Sequence, residues 1–415
     1  MKQPDLLRLQ RVPRWGVLTA LLATFSTACL APEPARTKES GIGVGLLVSF
    51  TGNLAAAGPT IERASLLAAE KLNAAGGVAG EPFRVITRDT QSERRTGLKA
   101  ATYLFDETDV AGIIGPQNET LAVLLLEQVR ANNVAQIFGS VTSTAITEAD
   151  DNDLWFRTNP SVSSLSRALA NRIQADGIQR MALVSVLNEF GVAFTEAMIG
   201  ELEERNINLP VVSQFNPTER SFRPLATRVV NAEVDGVVLA ASPTPAARLI
   251  QEWSFVGPPV RWYFAPPLRT PEFVQNVPPG IINGAIGVAP ELGSAQQGFA
   301  RTFADRWFGE TPTSEAAFYY DAMAVMGLAM ARMHALEGEV SRSGTLPEHI
   351  RAVANPPGET VEWDQLARGM EHIEKGNEIT YTGVTGSVEF DARGDITDGA
   401  AELWTISDNQ VRTLE

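Results

Sequence analysis

Short apolar runs alternate with amphipathic windows over most of the chain. Strand-like runs fall at 43–50, 83–89, 110–115, 134–138, 181–186, 211–215, 236–240 and 260–264. Between them, apolar residues at three- and four-residue spacing predict helices over 59–75, 93–107, 120–132, 162–175, 190–205, 221–231 and 243–255. This beat predicts an α/β fold of parallel sheets covered on both faces by helices and joined by right-handed crossovers. The first helix is punctuated at both ends. Pro59 sits in its first turn, and Asn73-Ala74-Ala75-Gly76-Gly77 supplies a glycine stop. After Pro290 the beat changes: two longer helical windows, 294–308 and 314–336, precede an irregular region with proline and glycine and a glycine-rich strand pair over 381–405.

The start of the chain follows a different pattern. Lys2, Arg8, Arg11 and Arg14 precede an apolar stretch over 15–25, and Ser26-Thr27-Ala28 leads into Cys29. The stretch is short for a membrane span, and the whole reads as an export signal over 1–29 with Cys29 as a lipid anchor. Ser26 stands where a lipobox carries leucine, a departure from that signal. Cys29 is the only cysteine, so an internal disulfide is excluded and its alternative use is as a small buried thiol. Residues 30–40, rich in proline and charge, read as a linker.

Composition narrows the function. The chain after the linker is long enough for two lobes. A formal charge of −15 repels phosphate backbones, so no nucleic-acid partner is expected. No later apolar run reaches the length of a spanning helix, which leaves lipid as the route of membrane attachment. His334, His349 and His372 lie in charged, helix-like surroundings without metal-ligand spacing and read as surface residues. There is no G-x-S-x-G elbow and no Walker loop, and GIGVG at 41–45 precedes its strand whereas a dinucleotide fingerprint follows one. No enzyme, metal or cofactor is expected, although a carboxylate pair assembled by folding stays open.

Seven segments in order then carry a resemblance: SFTGNLAAAG at 49–58, LNAAGGVAGEPF at 72–83, RDT at 88–90, AGIIGP at 111–116, FRTNPS at 156–161, YYDAM at 319–323 and YTGVTGSVEFDARGD at 381–395. The chain resembles the branched-chain amino acid receptors, the leucine/isoleucine/valine-binding proteins of ABC importers. The resemblance implies the periplasmic binding protein type I fold, two Rossmann-like lobes joined by a three-segment hinge. Lobe 1 would comprise 41–158 plus 290–382, and lobe 2 159–289 plus 383–415. It also implies a monomeric periplasmic protein, a small-molecule ligand in the cleft and an inner-membrane ABC permease as partner. Lipoproteins of this fold also serve as activators of cell-wall synthesis or as sensors, which is the alternative reading.

Ligands of such folds sit beyond the carboxyl ends of strands, where helix N-termini offer unpaired N–H groups. Ser140, Val141 and Thr142 fall on the segment where the family holds a ligand carboxylate; the alternative is that Thr142 or Ser143 caps the next helix. After Gly115-Pro116 the family shows serines, and this chain has Asn118 and Glu119 instead. Glu119 would compete with an anionic ligand, receive an ammonium, or stabilise its own helix. Phe190 stands where the family has a tyrosine, as a stacking wall or as core. Pro267 replaces the acid that pairs with a ligand ammonium, so Glu119 or Glu189 substitutes or the ligand is not an α-amino acid. Arg269 nearby is either an anion reader or a solvated surface residue.

Overall fold

The computed structural model describes residues 40–52, 54–290, 294–342, 344–397 and 401–414, with the side chains of Glu189 and Glu272 excepted. The export signal and Cys29 lie outside the described residues. From Ser40 the chain forms one compact unit.

The first sheet is fully parallel. It contains β1 (Ile42–Val48), β2 (Phe83–Asp89), β3 (Val110–Ile114), β4 (Ala135–Phe138) and β5 (Trp155–Arg157), in the order β2-β1-β3-β4-β5. GIGVG therefore lies largely inside β1 and does not precede it. Helices α1 (Gly58–Ala74), α2 (Arg94–Asp106), α3 (Glu119–Leu124), α4 (Leu126–Asn132) and α5 (Thr144–Thr147) connect these strands. The window read as one helix over 120–132 breaks at Leu125. Every residue of β3 is buried, as a parallel strand covered on both faces requires.

Past Arg157 the chain enters the second sheet. Its strands β6 (Arg180–Val186), β7 (Asn208–Phe215), β8 (Gly236–Ala240), β9 (Arg261–Phe264) and β10 (Ile286–Pro290) pair in parallel where adjacent. They alternate with α6 (Val162–Ala175), α7 (Glu189–Glu204), α8 (Arg223–Asn231), α9 (Pro243–Trp253) and α10 (Pro271–Asn276). Separate apolar clusters fill the two faces of each sheet.

After Pro290 the chain returns to the first lobe. There α11 (Gln296–Arg306) is followed by α12 (Ser314–Glu337), which is buried continuously from Ala316 to Ala331 between the first sheet, α1, α13 (Leu346–Ala354) and α14 (Leu366–Glu374). The region read as irregular thus holds two amphipathic helices. It also holds β11 (Glu359–Glu362) and β12 (Ile379–Gly383), which pair with each other, and β13 (Gly386–Ser387). The final strands, β14 (Ala401–Ser407) and β15 (Gln410–Thr413), join the second sheet antiparallel beside β10. The expected strand pair over 381–405 is therefore not a pair: β12 and β14 belong to different sheets. His349 also departs from expectation. It is buried on α13, with Nε2 2.8 Å from Glu337 Oε1 and Nδ1 2.9 Å from Arg332.

Two buried charges tie separate segments of the first lobe together. Asp321 on α12 accepts from the Tyr381 hydroxyl at 2.8 Å, the Val384 N–H at 2.8 Å and the Thr385 N–H and hydroxyl at 2.9 and 2.7 Å. Burial nevertheless raises its carboxyl to about 6. Arg157, at the end of β5, is fully buried, pairs with Asp395 and donates to the Ser143 carbonyl and to Thr147.

Candidate functional site

The carboxyl ends of β1, β3 and β4 converge on one edge of the first lobe. After β3, Gly115 turns with φ of +85°, and a Cβ there would stand 2.3 Å from the Leu47 carbonyl oxygen. This close approach lets Gln117 fold back so that its Oε1 accepts from the Ser49 N–H at 2.8 Å. Asn118 caps α3, its Oδ1 accepting from the Leu121 N–H at 2.8 Å. Asp89, at the end of β2, takes the N–H groups of Phe50 and Gln91 at 3.0 and 2.8 Å.

Glu119 reaches away from its own helix. Its Oε1 accepts from the backbone N–H of Thr142 at 2.9 Å and from the Thr142 hydroxyl at 2.7 Å. The donors that a ligand carboxylate would use are therefore engaged by a carboxylate of the chain itself. Ser143, not Thr142, caps α5, accepting from the Ala145 N–H at 3.2 Å. Val141 is buried beneath the loop, and its carbonyl accepts from Asn159 Nδ2 at 3.0 Å. The Oδ1 of Asn159 is buried without a partner.

Ser140 faces α12. Its Oγ lies 3.1 Å from the Tyr319 hydroxyl, and Gly139 makes room for that ring, since a Cβ there would come within 2.5 Å of it. One turn earlier on α12, Glu315 acts electrostatically on Tyr319, and burial pushes the Glu315 carboxyl up. Glu315, Tyr319, Gln117 and Asn159 were not singled out from the sequence. Tyr319 and Asn159 had a signal, their places in YYDAM and FRTNPS.

The second lobe contributes less contact. Asn188 caps α7, with Oδ1 2.8 Å from the Gly191 N–H. Phe190 is partly exposed, stacks at a tilt on Phe194 with centroids 5.7 Å apart, and joins the rim of the second-lobe core. Among the described residues no hydrogen bond or ring contact joins it to the Glu119–Thr142 group. The Glu189 side chain lies outside the described residues. Pro267 sits in a short 3-10 turn after β9. Arg269 is neither a solvated surface residue nor a free anion reader, because Glu402 holds it through two bonds of 2.7 Å.

A cavity of about 1000 Å³ opens elsewhere, beside β5 and α13. Within it Arg351 pairs with Asp153, and Asp151 accepts from the N–H groups of Asp153 and Trp155; Glu148 and Arg393 line it too. Among the described residues no group of histidine, cysteine and acidic side chains could hold a metal, and no helix is long and apolar enough to cross a membrane.

Comparison with known proteins places this geometry. The periplasmic binding protein family matches residues 41–372. A Leu/Ile/Val-binding protein, BraC3, of Rhizobium johnstonii is 23% identical over 53% of the chain, which spans 59% of that relative. The substrate-binding protein BasB of a chemotactic signal transduction system in Halobacterium salinarum is 25% identical over 85% of the chain and 83% of its own length. Among solved structures, an ABC transporter substrate-binding protein of Desulfitobacterium hafniense in complex with leucine superposes with a TM-score of 0.70 at 20% identity, over 90% of this chain and all of that one. A solute-binding protein of R. palustris in complex with benzoate gives 0.68 at 15% identity, over 90% and 95%.

Proposed function

Because the chain belongs to the periplasmic binding protein family, we propose that it is the solute-capturing component of an ATP-driven importer. It would close on a small organic solute between its lobes and deliver it to an inner-membrane permease. The observation that carries this reading is the polar edge formed by the ends of β3 and β4. Ser140, Thr142, Glu119 and Tyr319 meet there outside the carboxyl ends of a parallel sheet, the place where such sheets bind ligands. The lobe boundaries read from the sequence, 41–158 plus 290–382 against 159–289 plus 383–415, are part of the same proposal, as are the monomeric state and the anchor at Cys29. Asn118 and Val141 would shape the floor of the site, and Phe190, with Glu189 beside it, would form the opposing wall.

A thermal-shift screen of the purified protein against amino acids, amides, amines and carboxylates tests capture. A true ligand at a hundredfold excess over its Kd stabilises by about 2.7 kcal/mol. No shift from any class would count against capture. The relationship to BasB supports a second reading, in which the captured solute is presented to a chemotactic receptor. Solute-dependent stimulation of the permease's ATP hydrolysis would favour import over sensing.

A further inference from the structure

We propose that the first lobe receives the cationic, hydrogen-donating end of the solute, an ammonium, amidinium or guanidinium group, and that Glu119 is its partner. The inference rests on the solute-capture reading and narrows it to a class of solute.

The argument is a balance of donors and acceptors at one edge. Six donors there are engaged by the chain's own acceptors: the Thr142 N–H and hydroxyl by Glu119, the Ser49 N–H by Gln117, the Leu121 N–H by Asn118, and the Phe50 and Gln91 N–H groups by Asp89. Acceptors are left over as well. Glu119 Oε2 and the Glu315 carboxylate make no hydrogen bond among the described residues, and Asn159 Oδ1 is buried without one. Asn159 belongs to a different segment from either acid and is 3% exposed, so its orphaned acceptor is independent of the two charges.

Glu119 is not explained as a helix-stabilising acid. Asn118 already caps α3, and Glu119 bonds outward to a loop 23 residues away. Nor, among the described residues, does an arginine pair with it. Arg157 and Arg269, near the lobe crossings, are held by Asp395 and Glu402. A solute carboxylate would have to displace Glu119 from Thr142, whereas a cation meets Glu119 Oε2 with Oε1 still fixed by Thr142. An amine or amidine solute fits this edge, and an α-amino acid would dock with its ammonium toward the first lobe.

Calorimetry with paired probes of matched shape and opposite charge tests the assignment: benzamidine against benzoate, and 3-methylbutylamine against 4-methylpentanoate. The cation of at least one pair should bind, at least tenfold tighter than its anion. Glu119→Gln, which keeps an acceptor for Thr142 but loses the charge, should weaken that cation at least tenfold with an unchanged melting temperature. Glu119→Ala frees the Thr142 donors and should raise anion affinity. Tighter binding of the anion by the natural protein, or cation binding indifferent to Glu119→Gln, overturns the inference and leaves solute capture standing. Binding of none of the four probes overturns it as well, and the wider thermal-shift screen then decides capture separately.

Discussion

Asp321 accepts from both the backbone N–H and the hydroxyl of Thr385, at 2.9 and 2.7 Å, across 64 residues of sequence. The same carboxylate-to-threonine arrangement joins Glu119 to Thr142. Their surroundings separate them: Asp321 is fully buried and has two further donors, while Glu119 is partly exposed and keeps one oxygen free among the described residues. One clamp fixes the turn between β12 and β13 against α12, and the other sits where a solute would arrive.

The Asp321 clamp makes stability depend on pH in a definite direction. Its folded carboxyl titrates at about 6, against about 3.9 in an unfolded chain. Between those values the folded protein keeps a proton that the unfolded chain has released. The contribution of Asp321 is therefore fully present below about pH 4 and falls as pH rises through 6. Relative to Asp321→Asn, the wild-type advantage in urea unfolding should shrink by about 1 kcal/mol between pH 5 and 7.5. An advantage that grows over that interval would show that the donors outweigh burial.

Arg157→Ala should be among the most damaging single changes in the chain. It removes a fully buried guanidinium, leaves Asp395 without its countercharge and takes a donor from the Ser143 carbonyl. Breaking a buried pair from one side costs about 3–5 kcal/mol. The melting temperature is the readout, and a change within error would mean that water replaces the guanidinium without loss.

Gly139→Ala should shift Tyr319. The new methyl group would stand 2.5 Å from the ring, and overpacking of this kind costs about 1–3 kcal/mol. The loop carrying Ser140 and Thr142 should move with it, so a confirmed ligand should bind more weakly in calorimetry. Tyr319→Leu in the same background should recover part of the lost stability.

Cys29→Ala should move the protein from the membrane fraction to the soluble periplasm, or leave an uncleaved precursor, because Cys29 is the only thiol in the chain. Mass spectrometry of the natural protein should show a diacylglyceryl cysteine at its mature N-terminus. An unmodified N-terminus would remove the anchor from the functional account.

The sequence by itself determined the α/β alternation of strands and helices, because hydrophobic periodicity is a local property. β2 and β8 run over 83–89 and 236–240, where the apolar runs place them, and α6 spans the 162–175 window. The glycine turns were legible for the same reason: Gly115 is needed wherever the chain must turn hard against β1. Local signals failed where elements were short. The apolar spacing Leu346, Ile350, Val353 and Ala354 of α13 spans only nine residues beside prolines and glycines, and β5 is three residues long. Periodicity also gave no partner for β14, because antiparallel addition beside β10 depends on a crossover back to the second sheet. The chemistry of the site was decided by tertiary structure alone. Glu119 and Thr142 are separated by 23 residues, Ser140 and Tyr319 by 179, and Arg269 and Glu402 by 133. A carboxylate acquires its role from which donors the fold brings to it, and that pairing is fixed only when the strand ends and α12 pack together.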